Sequence, residues 1–230
     1  MSNKIYKIST GDKIKVKDNS SITGRVTIHQ KNNDEYKLIE DTKNLVVYRG
    51  RNFLIQRALN KSLTSNTARA GWKNNWINLF ALGTGGALVD NPLVPLAPGL
   101  ADSGLYTHAN AGVGGIVDAT TGYRYLFFDS TYPQIISDSS VTESLTGDTA
   151  YDSILDQTYN SDKFLIGLIR ISISTSQYNG SDYLDLNEAG LFLSNSNSVP
   201  TDIGLFAHTC FASIRKDVTK ELLFSWYLYF

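Results

Sequence analysis

Side-chain chemistry could reside in four places in this sequence: three histidines, one cysteine, a knot of acidic residues and a glycine cluster. His29, His108 and His208 stand far apart, with no metal-ligand spacing between them, so each reads as a structural or solvated side chain. Cys210 is the sole cysteine, which excludes an intrachain disulfide and a multi-thiolate metal site. Its apolar, alternating neighbourhood marks it as a small buried hydrophobe, not a nucleophile. Asp182, Asp185 and Glu188 lie close in sequence, and paired carboxylates can hydrolyse glycosides. They also sit where a strand begins and turn-forming Asp is ordinary, and the spacing of an EF-hand loop is missing. Gly83-Thr84-Gly85-Gly86 could cradle a phosphate, yet it has neither the glycine spacing of a dinucleotide fingerprint nor the Gly-Lys-Ser/Thr ending of a P-loop, and it reads as a tight turn. There is no Gly-x-Ser-x-Gly elbow. The expectation is therefore a chain that is not an enzyme, with no catalytic, cofactor-binding or metal-binding residue and no cofactor.

The elements around these residues read as mainly β. In the first fifty residues, Ile14 to Lys17, Ile22 to His29, Tyr36 to Glu40 and Asn44 to Tyr48 are extended patterns, with turn chemistry at Lys31 to Asp34. They predict an amino-terminal meander or arm over 1–49, possessing its own lobe, before a main sandwich domain over 50–230. Gly50 is expected to break the strand. After it, Phe53, Leu54, Arg57, Ala58 and Lys61 fall at helical spacing, widened by Ile55 and Leu59, and predict one short helix over 51–61. Trp76 to Leu82 is a strand run. Residues 87–122 hold Pro92, Pro95, Pro98 and a Gly/Ala tract without a persistent period, and 129–162 are rich in Ser, Thr and Asp. Both are expected to be long insertion loops, the first ordering only against a neighbouring subunit. Between them Tyr123 to Phe128 reads as an aromatic strand.

The last third is regular. Lys163 to Ser174, Glu188 to Leu193, Leu205 to Ala212 and Glu221 to Phe230 are predicted strands, with Asn179-Gly180 as a turn. In the final one Leu222, Phe224, Trp226, Leu228 and Phe230 share a face expected to point inward, and Leu223, Ser225, Tyr227 and Tyr229 share a tyrosine-edged face expected to point outward. The fold class expected is an antiparallel β-sandwich with one short α-helix and long loops.

A formal net charge of −1 does not favour nucleic acid or an anionic membrane as partner. No apolar run approaches the length of a membrane span, and the first residues lack a signal-peptide core, so synthesis in a cytoplasm is expected. Thirteen tyrosines suit half-buried sheet faces and contact surfaces alike.

Lys43-Asn44-Leu45-Val46-Val47-Tyr48-Arg49-Gly50-Arg51 resembles a strand, Gly-Arg and short-helix segment of virion structural proteins from tailed bacteriophages. Phe80-Ala81-Leu82-Gly83-Thr84-Gly85-Gly86 is similar to the strand and glycine turn that follow. The closer resemblance is at the end: Leu186-Asn187-Glu188-Ala189-Gly190-Leu191-Phe192, then Leu205 to Phe211, then Lys220 to Phe230, like the closing strands of such proteins. The blocks cover about half the chain, and nothing familiar matches 87–162. The resemblance implies a virion component, made in the host cytoplasm, whose partners are copies of itself and other virion proteins. A neck, collar or tail-completion station is the first expectation, ahead of a baseplate, fibre-adaptor or capsid-decoration role. The alternative class is a carbohydrate- or receptor-binding module that meets a host surface glycan, with Tyr106 or Tyr123 as contact residues. A hydrolase of surface polymers that uses Asp182 or Asp185 comes last.

Overall fold

The computed structural model describes residues 23–32, 35–59, 75–137, 165–196 and 203–229. Within them the chain forms β1 (Thr23–Asn32), β2 (Glu35–Val46), α1 (Tyr48–Leu59), β3 (Trp76–Gly83), β4 (Ala87–Leu88), β5 (Asn91–Pro95), β6 (Ile116–Val117), β7 (Arg124–Phe127), β8 (Gln134–Ser137), β9 (Leu165–Ile173), β10 (Tyr183–Ser194), β11 (Gly204–Asp217) and β12 (Leu222–Tyr229). Ten strands follow the order β6-β7-β3-β10-β11-β2-β1-β12-β9-β8, and β4 and β5 form a separate hairpin. Every pairing is antiparallel.

The sheet folds on itself at the β11–β2 seam, where pairing is confined to Ala207 with Val46 and His208 with Leu45. On the far side Asp129 ties the end of β7 to β9. Its N–H donates to the Arg170 carbonyl at 3.0 Å, and its carboxylate accepts from the Ser172 N–H and hydroxyl at 3.0 and 2.8 Å. The result is the expected sandwich-like antiparallel β fold with one helix among the described residues.

Period-two patterning explains the core. Leu222, Phe224, Trp226 and Leu228 of β12 are buried on one face. The register places Val26 and Ile169 on either side of Trp226, and Ile28 and Ile171 on either side of Phe224, so three strands present matched apolar rows. From the opposite half, Phe80 of β3 and Phe211 of β11 meet Phe224 at ring distances of 5.2 and 6.2 Å. A second cluster lies on the other face of β3, β10 and β11, where Leu79, Ala81, Phe192 and Leu205 pack beneath Leu105, Ile116 and Tyr125.

Several expectations need correction. The segment before residue 49 does not form a lobe of its own within the described residues: β1 and β2 are interior strands of the sheet, between β12 and β11. The run Ile14 to Lys17 lies outside the described residues, as does Phe230. Gly50 does not break the strand. It sits in the first turn of α1, buried so closely against the Phe206 backbone that a Cβ would collide with that carbonyl oxygen. The helix starts at Tyr48 and docks Phe53 edge-on against Phe206 at 6.2 Å, and it leaves Ile55 and Leu59 exposed instead of turned inward. The second face of β12 is not outward: Ser225 and Tyr227 are each 1% exposed, so this part of the strand is buried on both sides.

The 87–122 segment is also not a loop awaiting a neighbour. It carries β4, β5 and β6, and between them it is fastened to the body. Tyr48 N–H donates to the Leu100 carbonyl, Thr84 N–H to Thr107, and Ala109 N–H to Leu82, all at 2.9 Å. Leu105 and Ile116 supply the apolar cover described above. Buried apolar contact and satisfied backbone groups are what fix a segment lacking regular period.

Candidate functional site

A buried polar cluster sits where β10, β11, the glycine turn after β3 and the 99–107 segment meet. Glu188 of β10 and His208 of β11 have fully buried side chains. His208 Nε2 lies 3.0 Å from Glu188 Oε2, and His208 Nδ1 lies 2.9 Å from Asp102 Oδ2. Both ring nitrogens of His208 therefore face carboxylate oxygens, which accept hydrogen bonds. Glu188 Oε1 accepts the N–H groups of Gly85 and Thr107 at 2.9 and 2.8 Å, and Oε2 accepts that of Tyr106 at 2.8 Å. Asp102 also accepts the Gly99 N–H at 2.8 Å. The Tyr106 hydroxyl lies 3.1 Å from Asp102 and 3.3 Å from the Ala97 carbonyl, and the Tyr106 ring stands edge-on to His208 at 4.9 Å.

The glycine turn therefore does cradle an anion, but the anion is the chain's own Glu188. A Cβ at Gly83 would meet that carboxylate, and one at Gly85 would meet Thr107. Burial alone would raise the Glu188 carboxyl, but hydrogen bonds from His208, Thr107, Tyr106 and Gly85 outweigh it and hold the group below its ordinary value. The buried Glu188 and His208 side chains both find partners on the 99–107 segment, so the cluster works as a clasp that fixes that segment to the sheet.

Cys210 borders the clasp, its sulfur 3.8 Å from His208 Nε2. Burial, then the nearby Glu188 and Asp102 charges, push its thiol up to about 12, so it stays protonated and unreactive. Native protein mixed with an aromatic disulfide reagent at pH 8 is expected to release chromophore only as fast as it unfolds, and rapidly in denaturant. Full modification within minutes of mixing, with circular dichroism unchanged, would contradict the packing of Cys210.

The other singled-out residues scatter. Glu188 pairs with neither Arg215 nor Lys216: Arg215 meets Asp185 at 3.2 Å, and Lys216 donates to the Asn179 amide oxygen at 2.6 Å and the Asp217 carbonyl at 2.8 Å. Burial lowers the Lys216 ammonium to about 8. Asp182 and Asp185 lie away from the buried Glu188 face, toward solvent. His108 stacks flat on Tyr123 at 4.3 Å and stands edge-on to Tyr125, and burial lowers its pKa. His29 is buried in β1 opposite Leu223. The pairing of His208 with Asp102 and Glu188 is invisible in sequence, because residues 102, 188 and 208 come together only through strand pairing and loop docking.

Two surface features remain. The β4–β5 hairpin turns at Val89-Asp90 and exposes Leu88, Val89, Leu93 and Val94, with Val89 98% and Leu93 72% accessible. An open groove of about 530 Å³ lies along Trp76, Ile77, Phe127, Phe128, Tyr132 and Pro133, with Trp76 and Phe127 exposed. The Arg170 guanidinium lies 5.5 Å from the Tyr132 ring centre and has no carboxylate partner among the described residues. Tyr106 stands edge-on to His208 and Tyr123 stacks on His108, and both remain partly exposed. No protein-family model matches the chain, and neither a curated protein nor a solved structure matches it.

Proposed function

We propose that the chain is a structural component of a tailed-bacteriophage particle, at a neck, collar or tail-completion station, and that it works by oligomeric assembly. The observation that carries this reading is the β4–β5 hairpin: four adjacent apolar side chains held out in solvent on a base fastened to the body. An exposed apolar patch of this kind marks an interaction surface. Its base is fixed by the Leu96 N–H to Gly86 carbonyl bond at 2.8 Å and by the neighbouring clasp, so it meets a partner without first being ordered. The strand motifs that resemble virion proteins support the same reading. The buried polar cluster supports it too, because its groups are spent on holding the chain in shape.

The reading is tested in two steps. Purified full-length chain should give a concentration-dependent mass above one copy by light scattering. Antibody raised against it should label purified phage particles at one end of the capsid-tail axis. A chain absent from particles by labelling and by mass spectrometry would end the proposal. The aromatic groove favours a second reading, a module that stacks a host glycan on Trp76. Specific signal on a glycan array, lost on Trp76→Ala, would select it.

A further inference from the structure

We propose that copies of this chain join head to tail, the β4–β5 hairpin of one seating in the aromatic groove of the next, with Asp90 of the hairpin against Arg170 beside the groove. The inference rests on the assembly reading above and names the two surfaces that meet. Both halves of the contact are present on one chain. The hairpin is apolar with a single acid at its tip, and Asp90 is exposed with no ion-pair partner among the described residues. The groove is aromatic with a single cation at its side. Arg170 lies over the Tyr132 ring, and its Nε has no hydrogen-bond partner among the described residues. Arg170 is half-buried and meets no carboxylate among the described residues, so a carboxylate brought by another copy supplies the missing charge partner.

Position favours a second copy over self-closure. The groove lies at the Trp76 end of β3, and the hairpin leaves from the Gly83 end. At about 3.3 Å per residue the two sit roughly 20 Å apart along the strand. The hairpin base is fixed at Gly85 and Gly86 by the Glu188 carboxylate and the Asn187 side chain, so it cannot swing back to its own groove. A knob and a hole at opposite ends of one strand make a heterologous contact, which generates a closed ring when the rotation per copy divides a full turn. A Val and a Leu entering an aromatic slot, rimmed by one opposite-charge pair, is also the usual division between apolar centre and polar edge.

Charge exchange with the full-length chain tests the contact. Asp90→Arg alone and Arg170→Asp alone should each weaken self-association by about tenfold, measured by light scattering across a dilution series. The double exchange should restore most of the loss. Far-UV circular dichroism should stay unchanged in all three, which separates a lost contact from a lost fold. Independently, a chain carrying Val89→Cys mixed with one carrying Trp76→Cys should form an intermolecular disulfide under mild oxidation, since the buried native Cys210 does not compete. If the wild type assembles and neither the single exchanges nor the cysteine pair has any effect, this contact is wrong while assembly by another surface stands. A wild type that stays monomeric at every concentration removes both. Glycan binding abolished by Trp76→Ala, with assembly intact, assigns the groove to sugar and overturns the contact.

Discussion

Glu188→Ala should lower folding stability by about 3–5 kcal/mol, as expected when a buried carboxylate that satisfies several buried donors is removed. Glu188 is fully buried and serves four groups at once: the N–H donors of Gly85, Tyr106 and Thr107, and the His208 ring. Alanine removes the shared acceptor of the three N–H groups and leaves His208 with Asp102 alone, so the cost is chiefly that of orphaned buried donors. Glu188→Gln keeps the shape and one accepting oxygen, but turns an amide N–H₂ toward donors. It should fall between wild type and alanine. Denaturant midpoints of the three proteins check the ordering. An alanine variant within about 0.5 kcal/mol of wild type, the range of an ordinary surface substitution, would mean that the clasp does not hold the fold.

The same group sets an acid limit. Its folded pKa is below the ordinary 4.5, so the folded state binds fewer protons there than the unfolded chain. The contribution of Glu188 is therefore fully present above pH 4.5 and is lost as the pH falls through the depressed folded value. In Glu188→Gln this part of the acid sensitivity should disappear, so the wild-type and variant stability curves converge as the pH drops below 4.5. Curves that stay parallel down to pH 3 would assign the acid limit to other carboxylates.

The β class and most strands were legible in the sequence because burial on a pleated surface imposes period two. Leu222, Phe224, Trp226 and Leu228 show it plainly, and so do Ile169, Ile171 and Ile173. The start of β10 and the end of β11 lie beyond the expected bounds because those ends are polar: Tyr183 to Asp185 and Arg215 to Asp217 pair through backbone groups, which no side-chain pattern records. The 99–107 segment escaped for the related reason that its order comes from Glu188 and His208, far away in sequence. The helix was found but misplaced in rotation. Gly50 lets α1 lie close on the Phe206 backbone, and with Phe53 against Phe206 the helix leaves Ile55 and Leu59 outward. Single-sequence periodicity can place an apolar stripe but cannot say which side of a helix finds a flat backbone to pack on. Glu188 itself could have been suspected, since it is the one charged residue in the otherwise apolar and small run from Leu186 to Leu193 except for Asn187. A lone acid in such a run needs buried donors, and the glycine turn is a source of free N–H groups.

Phe224→Ala should cost about 3–5 kcal/mol, and the loss should be coupled to Phe80. The argument is geometric. Phe80 lies on β3 and Phe224 on β12, and four strands, β10, β11, β2 and β1, separate them in the sheet. At about 4.8 Å per strand, a flat sheet would hold the rings roughly 24 Å apart. They meet at 5.2 Å, tilted by 54°. That contact exists only if the two five-strand halves fold over one another at the narrow β11–β2 seam. Measured by denaturant unfolding, the double variant Phe80→Ala/Phe224→Ala should therefore lose less than the sum of the single losses, by about 0.5–1.5 kcal/mol for the ring pair itself. Strict additivity would mean that the rings do not touch and that the halves do not close. The seam has only two paired positions on each strand, so ladder hydrogen bonds cannot hold the halves together alone. Packing across the interior, with Phe224 at its centre, has to do it.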